Sequence, residues 1–291
     1  DGGTIKLDGN YPVGTANVAL GNAALDSGSL SGGFNVAIGC DALTNNTSGT
    51  QNVALGSSSL LSNTTGVGNT ALGDDTLVDN VSGGQNIAVG INSLRRNTVS
   101  CNTSVGYNSL CNNTTGATNT AVGAVSLRSN TTGANNTAVG YIALCANTTG
   151  SCNVAIGRDS LDSNTTGSSN VAVGTDTLQA NSTGGSNIAI GDDALKGNST
   201  ASFNIGIGAT ALQANQTGTG NVAIGYQSLT TSTASNNTAV GRASLLANTT
   251  GASNVAVGTC SLKANTTGTQ NVSVGSISSV TNTTGCYNTA V

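Results

Sequence analysis

Large and small apolar residues alternate along this chain in very short stretches, and the alternation returns at a fixed period. Residues 153–169 read N-V-A-I-G-R-D-S-L-D-S-N-T-T-G-S-S, and the pattern restarts at Asn170 and Asn187. The starting asparagine recurs at Asn17, Asn35, Asn52, Asn69, Asn86, Asn102, Asn119, Asn136, Asn153, Asn170, Asn187, Asn204, Asn221, Asn237, Asn254, Asn271 and Asn288. The step is 17 residues, except 18 after Asn17 and 16 after Asn86 and Asn221. Such self-similarity marks a repeat architecture. With this asparagine as position 0, +1 is β-branched in every repeat, +2 is small, and +3 is Leu, Ile or Val. Position +4 is Gly in all sixteen complete repeats, +7 is Ala, Ser or Thr, and +8 is Leu in all but one.

Large, small, large at +1 to +3 is the period of a strand, and β-branched residues favour one. Gly at +4 permits a bend with positive φ or a close backbone approach. Positions +7 and +8 predict a second short strand. The N-T-T-G segment and its variants, from +11 to +14, gather turn formers. No 3.6-residue period runs through the repeat, and its glycines and β-branched residues disfavour a helix. One repeat therefore predicts one coil of strand, bend, strand and turn. The fold class that follows is all-β, a parallel β-solenoid (β-roll) of mostly 17-residue coils.

Coils stacked at about 4.8 Å would make a rod on the order of 75 Å long. The +3 aliphatic and the +8 Leu are expected to meet inside as two ladders, each burial contributing roughly 1.5–3 kcal/mol. Ordering a coil costs about 1–2 kcal/mol per residue, so a lone coil cannot fold and its neighbours must stabilise it. Residues 1–16 do not fit the repeat and read as an N-terminal cap or connector. Residues 17–291 read as the solenoid, sixteen complete coils and the start of a seventeenth. The chain stops at Val291 in mid-repeat, which suggests a longer array or an end that another chain completes.

Composition narrows the function. Aromatics are 2%, charged residues 7%, and Met, Trp and His are absent, so no bulky core can form. The net charge of −4, with no basic run beyond Arg95-Arg96, argues against nucleic-acid binding. No apolar run approaches a membrane span, and no signal peptide is evident. Without His, neither a Ser-His-Asp nor a Cys-His arrangement can be assembled within the chain. No enzyme activity and no cofactor are expected. Metal binding is not expected either: there is no C-x-x-C pair, the calcium-binding nonapeptide is missing, and Asp74-Asp75 and Asp192-Asp193 read as solvated turn carboxylates.

Three residue sets are candidates for chemistry or contact. Cys145–Cys152 and Cys101–Cys111 flank turns and are candidate disulfides, which would imply an oxidising compartment; the alternative is small thiols standing in for Ala or Ser. Position +11 gives N-x-S/T at Asn46, Asn63, Asn80, Asn113, Asn130, Asn147, Asn164, Asn181, Asn198, Asn215, Asn248, Asn265 and Asn282. These are candidate glycan acceptors; the alternative, which a solenoid favours, is an asparagine ladder at one corner. The small +2 residues Ala37, Ala54, Ala121, Ala155, Ala172, Ala189 and Ala223 are a candidate self-association face, because solvent does not require Ala. Ordered threonines could also suggest ice binding, but the Thr-Thr pair falls in a turn.

The motif N-V-A-I-G-x-x-S-L, as at Asn153 to Leu161, resembles the head repeats of trimeric autotransporter adhesins (YadA-like heads). It is also similar to N-T-A-V-G-x-x-S-L-x-x-N-T-T-G arrays of phage and bacterial tail-fibre-like proteins. The resemblance spans Asn17 to Val291, with a longer unit than the usual adhesin repeat. It implies a left-handed roll, commonly three side by side in a trimer, on a cell or virion surface. The expected function is a structural protein: a stiff extracellular or virion-surface fibre or shaft built by stacked coils and self-association, as a homotrimer or a head-to-tail filament. The alternative is an adhesin or receptor- or glycan-binding head.

Overall fold

The computed structural model describes residues 16–291. The cap or connector expected at residues 1–16 lies outside them, apart from Ala16. The chain forms two compact units, divided after Asn135.

The first unit carries seven strands: β1 (Val18–Leu20), β2 (Val36–Ile38), β3 (Val53–Leu55), β4 (Thr70–Leu72), β5 (Ile87–Val89), β6 (Thr103–Val105) and β7 (Thr120–Val122). The second carries ten: β8 (Thr137–Val139), β9 (Val154–Ile156), β10 (Val171–Val173), β11 (Ile188–Ile190), β12 (Ile205–Ile207), β13 (Val222–Ile224), β14 (Thr238–Val240), β15 (Val255–Val257), β16 (Val272–Val274) and β17 (Thr289–Ala290). Within each unit every strand pairs in parallel with its copy one coil on, and the register places +1 on +1 and +2 on +2, as in Val171↔Ile188 and Ala172↔Ala189. The 16-residue step keeps that register, with Ile87 opposite Thr103. No helix occurs among the described residues. The fold is the expected all-β parallel solenoid.

Two details differ from expectation, and both concern which way side chains face. The interior is not built by +3 and +8. It is built by +2, +7 and +8: Ala155, Ser160 and Leu161 are all fully buried. The +1 and +3 side chains of the same strand point outward, and Ile156 is 39% exposed. A coil closed in 17 residues is too narrow for two opposed aliphatic ladders, so Leu at +8 fills it and +2 must stay small. Where +2 is Ser, a hydroxyl at +7 satisfies it. Ser261 Oγ lies 2.9 Å from Ser273 Oγ, and Ser104 and Ser109 pair through their hydroxyls.

The second strand is also absent. Positions +5 to +10 wind as turns, with positive φ at +6 and +8, as at Asp159 (55°) and Leu161 (51°). These turns still hydrogen-bond along the stack, in opposite directions. The Leu161 N–H donates forward to the Thr177 carbonyl at 3.0 Å, and the Asp159 N–H donates back to the Tyr141 carbonyl at 3.1 Å. The +6 and +8 N–H groups thus serve opposite neighbours, while the +7 N–H bonds within its own coil, as Ser109 does to the Gly106 carbonyl, so this path joins both neighbouring coils without a strand. Gly157 (φ 133°) opens it. A Cβ there would stand closer than 3.0 Å to the backbone of Gly174, so stacking itself excludes a side chain at +4.

Candidate functional site

Each strand presents two outward columns, +1 and +3, and no charged residue occupies either one anywhere in the chain. In the second unit Ile156, Ile190 and Ile224 are 38–39% exposed at +3. In the first unit Leu55 reaches 47%. The flanking columns add aromatic rings: Phe203 and Tyr287 at −1, and Tyr141 and Tyr226 at +5, in the second unit; Phe34 and Tyr107 likewise in the first. Among the described residues, all the large exposed hydrophobics except Val67 and Val81 lie between −1 and +6. This is an uncharged sheet face on each unit, aliphatic throughout at +3 and mixing Val and Ile with Thr at +1, as at Thr103 and Thr238. The self-association residues expected at +2 do not contribute to it. Ala37, Ala54, Ala121, Ala155, Ala172, Ala189 and Ala223 are fully buried inside the coils. The exposed aliphatic residues lie on the other side of the same strands.

The opposite corner is an asparagine scaffold. Asn164 Nδ2 donates to the Gly167 carbonyl at 3.0 Å and to Asn147 Oδ1 at 2.9 Å, and Asn181 repeats the pattern on Asn164 at 2.8 Å. Position 0 forms a second ladder: the Asn170 N–H and Nδ2 both donate to Asn153 Oδ1, at 3.0 and 3.2 Å. Asn46, Asn63, Asn80, Asn113, Asn130, Asn147, Asn164, Asn181, Asn198, Asn215, Asn248 and Asn265 are fully buried. Asn282 is half-buried, and its Nδ2 donates to Asn265 Oδ1 and the Gly285 carbonyl. A glycan needs this amide nitrogen accessible, and in the folded coil it is sequestered. The N-x-S/T spacing therefore records the ladder. The ladder breaks once in the first unit, at the 16-residue coil. There Asn97 Nδ2 turns to the Val99 carbonyl, and Asn80 Oδ1 is left buried without a partner.

Cys101, Cys111 and Cys152 are thiols, so neither Cys101–Cys111 nor Cys145–Cys152 is bridged here. The physical reason is column geometry. Cys101 and Cys152 stand at −1, whereas Cys111 and Cys145 stand at +9. Cys101 Sγ contacts Gln85 Oε1, its −1 neighbour, at 3.5 Å. Cys111 is half-buried on the +9 column near Arg95, Arg96 and Arg128, and burial pushes its thiol up. Cys286 accepts hydrogen bonds from the Thr269 hydroxyl and N–H, which hold its thiol down.

Charges gather in small groups. Lys196 pairs with Asp193 at 2.9 Å and Asp176 at 3.1 Å, and Arg158 with Asp159 at 2.6 Å. Asp193, expected as a solvated carboxylate, is thus ion-paired. These contacts raise Lys196 above its ordinary value, while burial raises Asp162. Among the described residues no cluster of three His, Cys, Asp or Glu could hold a metal, and no helix is long and apolar enough to cross a membrane. A shallow polar depression lies where Gly68 and Gly84 interrupt two columns between Gln51 and Gln85. No family model matches the chain, and no curated protein matches it either.

Proposed function

We propose that the protein is a structural element of a surface fibre or shaft, whose copies associate through the +1/+3 sheet face. The observation that supports this is the uncharged face itself, with its unbroken aliphatic column at +3. In the second unit, nine strand spacings of about 4.8 Å and a width of roughly 10 Å give on the order of 400 Å². A patch of this size equals the largest on a typical soluble monomer, which is often functional. The face also lacks the charges by which solitary sheets discourage association. A homotrimer around a shared apolar axis would bury it on every copy, in line with the resemblance to trimeric adhesin heads and tail-fibre arrays. An extracellular or virion surface is the setting that such a fibre implies. The exposed rings at −1 and +5 keep a receptor- or glycan-binding role as the second reading.

Size-exclusion chromatography with light scattering tests the first reading. The wild-type chain should run as a discrete oligomer. The Ile156→Lys, Ile190→Lys, Ile224→Lys triple variant should run as a monomer with an unchanged β-type circular dichroism spectrum. A wild-type chain that stays monomeric at tens of micromolar would sink the proposal.

A further inference from the structure

Acidic and basic residues are segregated along the chain. No carboxylate lies between Asp79 and Asp159, and within that interval the first unit carries Arg95, Arg96 and Arg128. The fold brings these three together. The Arg96 N–H donates to the Cys111 carbonyl and the Asn112 N–H to the Arg128 carbonyl, both at 3.1 Å. Arg95, Cys111 and Arg128 therefore occupy +9 on three consecutive coils, with Arg96 beside them at +10. Two strand spacings put the Arg95 and Arg128 backbones roughly 9.6 Å apart, and the short Cys111 side chain leaves a gap between the two guanidinium groups. Cys111 feels the positive charge of all three arginines.

The strip is only lightly neutralised by the chain's own carboxylates. Asp75 Oδ2 lies 3.9 Å from the buried Arg95 Nε, and the rest of the Arg95 side chain is half-exposed. Asp79 lies on the adjoining coil, where its N–H donates to the Arg95 carbonyl, and it marks the acidic limit of the strip. Arg96 and Arg128 are exposed. Guanidinium forks take oxyanions bidentately.

We infer that this arginine strip docks an acidic polysaccharide, sulfated or uronate-bearing, laid along the stacking axis with one acidic group at Arg95/Arg96 and the next at Arg128. Charge complementarity selects a polyanion, and the spacing selects its type. On duplex DNA the phosphates of one strand recur about every 3.4 Å of helix axis, so two cationic points so far apart would leave most of them uncompensated. The +9 column here, Val78, Arg95, Cys111 and Arg128, also brings no aromatic ring on which a base could stack. This inference sharpens the receptor-binding reading and is independent of the sheet face, which other columns form.

Immobilised heparin, a sulfated polysaccharide, is the probe. The chain's net charge of −4 disfavours general retention, so retention at low salt reports a local patch. The wild-type protein should be retained and released as salt rises. The Arg95→Gln, Arg128→Gln variant should flow through, whereas the charge-matched Arg242→Gln, Lys263→Gln variant should be retained like wild type. Arg95→Lys, Arg128→Lys should be retained but elute earlier. Light scattering should give the same oligomer for all of them, which separates this test from that of the sheet face. Wild-type flow-through, equal loss in both charge-matched variants, or equal retention on immobilised single-stranded DNA would each overturn the assignment.

Discussion

At the scale of single residues, stacking rather than local propensity decides what is allowed. Gly157 and Gly275 have the same role and similar φ, 133° and 123°. They differ in what lies above. A Cβ on Gly157 would collide with the Gly174 backbone, whereas one on Gly275 would meet only Ser278 Cβ at 3.7 Å. Gly157→Ala should therefore abolish cooperative unfolding or lower its midpoint sharply, by several kcal/mol. Gly275→Ala should cost only the backbone strain, about 1–3 kcal/mol. Thermal melts of the two variants compare them directly. Asp162 supplies a pH test. Burial raises its folded-state pKa above the unfolded value, against the hydrogen bond from Ser163. The folded state thus binds that proton more tightly, and the local contribution improves as pH falls through the raised value. Asp162→Asn should melt slightly higher than wild type at neutral pH, and the gain should vanish below the ordinary carboxylate range. A gain that persists in acid would refute that account.

At the scale of the coil, the asparagine corner and the leucine column divide the work. Leu161 fills the interior, while Asn164 satisfies buried backbone and links to Asn147 and Asn181. Asn164→Ala would leave the Gly167 carbonyl without that donor and interrupt the ladder on both sides, costing about 2–4 kcal/mol. Asn164→Ser should cost less, because Ser232 already serves in such a column and accepts from Asn248 Nδ2 at 3.1 Å. Denaturant midpoints of the two variants would show the order, and equal losses would rule out the ladder as the cause. The coil also shows what the sequence could convey. Its period, parallel stacking, +4 bend and +11 turn were readable, because Gly, Asn and β-branched residues act locally. The phase of the strand was not. Alternation reveals two faces but not which one is inside, and size pointed the wrong way, because Ala172 is the buried residue and Val173 the outward one. The useful clue was the absence of any charge at +1 and +3 beside a lone Leu per coil. The path through +6 and +8 was hidden for a different reason. Positive φ at Leu161 or Ile142 (61°) contradicts their intrinsic preference, and only hydrogen bonds to neighbouring coils sustain it.

At the scale of the molecule, the repeat builds surfaces. Columns of like residues make one face uncharged and one corner polar, and they leave a single arginine-rich interval in the first unit. The glycan-acceptor and cysteine expectations share a premise: both took neighbours in sequence for accessible or adjacent groups. In a solenoid, residues one period apart are the neighbours, so Asn147 meets Asn164, while Cys101 and Cys111 stand on separate columns.

Like residues stacking on like has a consequence for heredity. Gly157 rests on Gly174, Asn153 on Asn170 and Val154 on Val171. Removing or duplicating one whole coil brings together two surfaces that already match. The contacts on either side are then the same in kind as before. Recombination between neighbouring copies can thus lengthen or shorten the gene product in whole 17-residue increments without a new interface having to be invented. The 16-residue coil of the first unit is different, because it leaves a mark: the unpartnered Asn80 Oδ1 records where an increment was not whole.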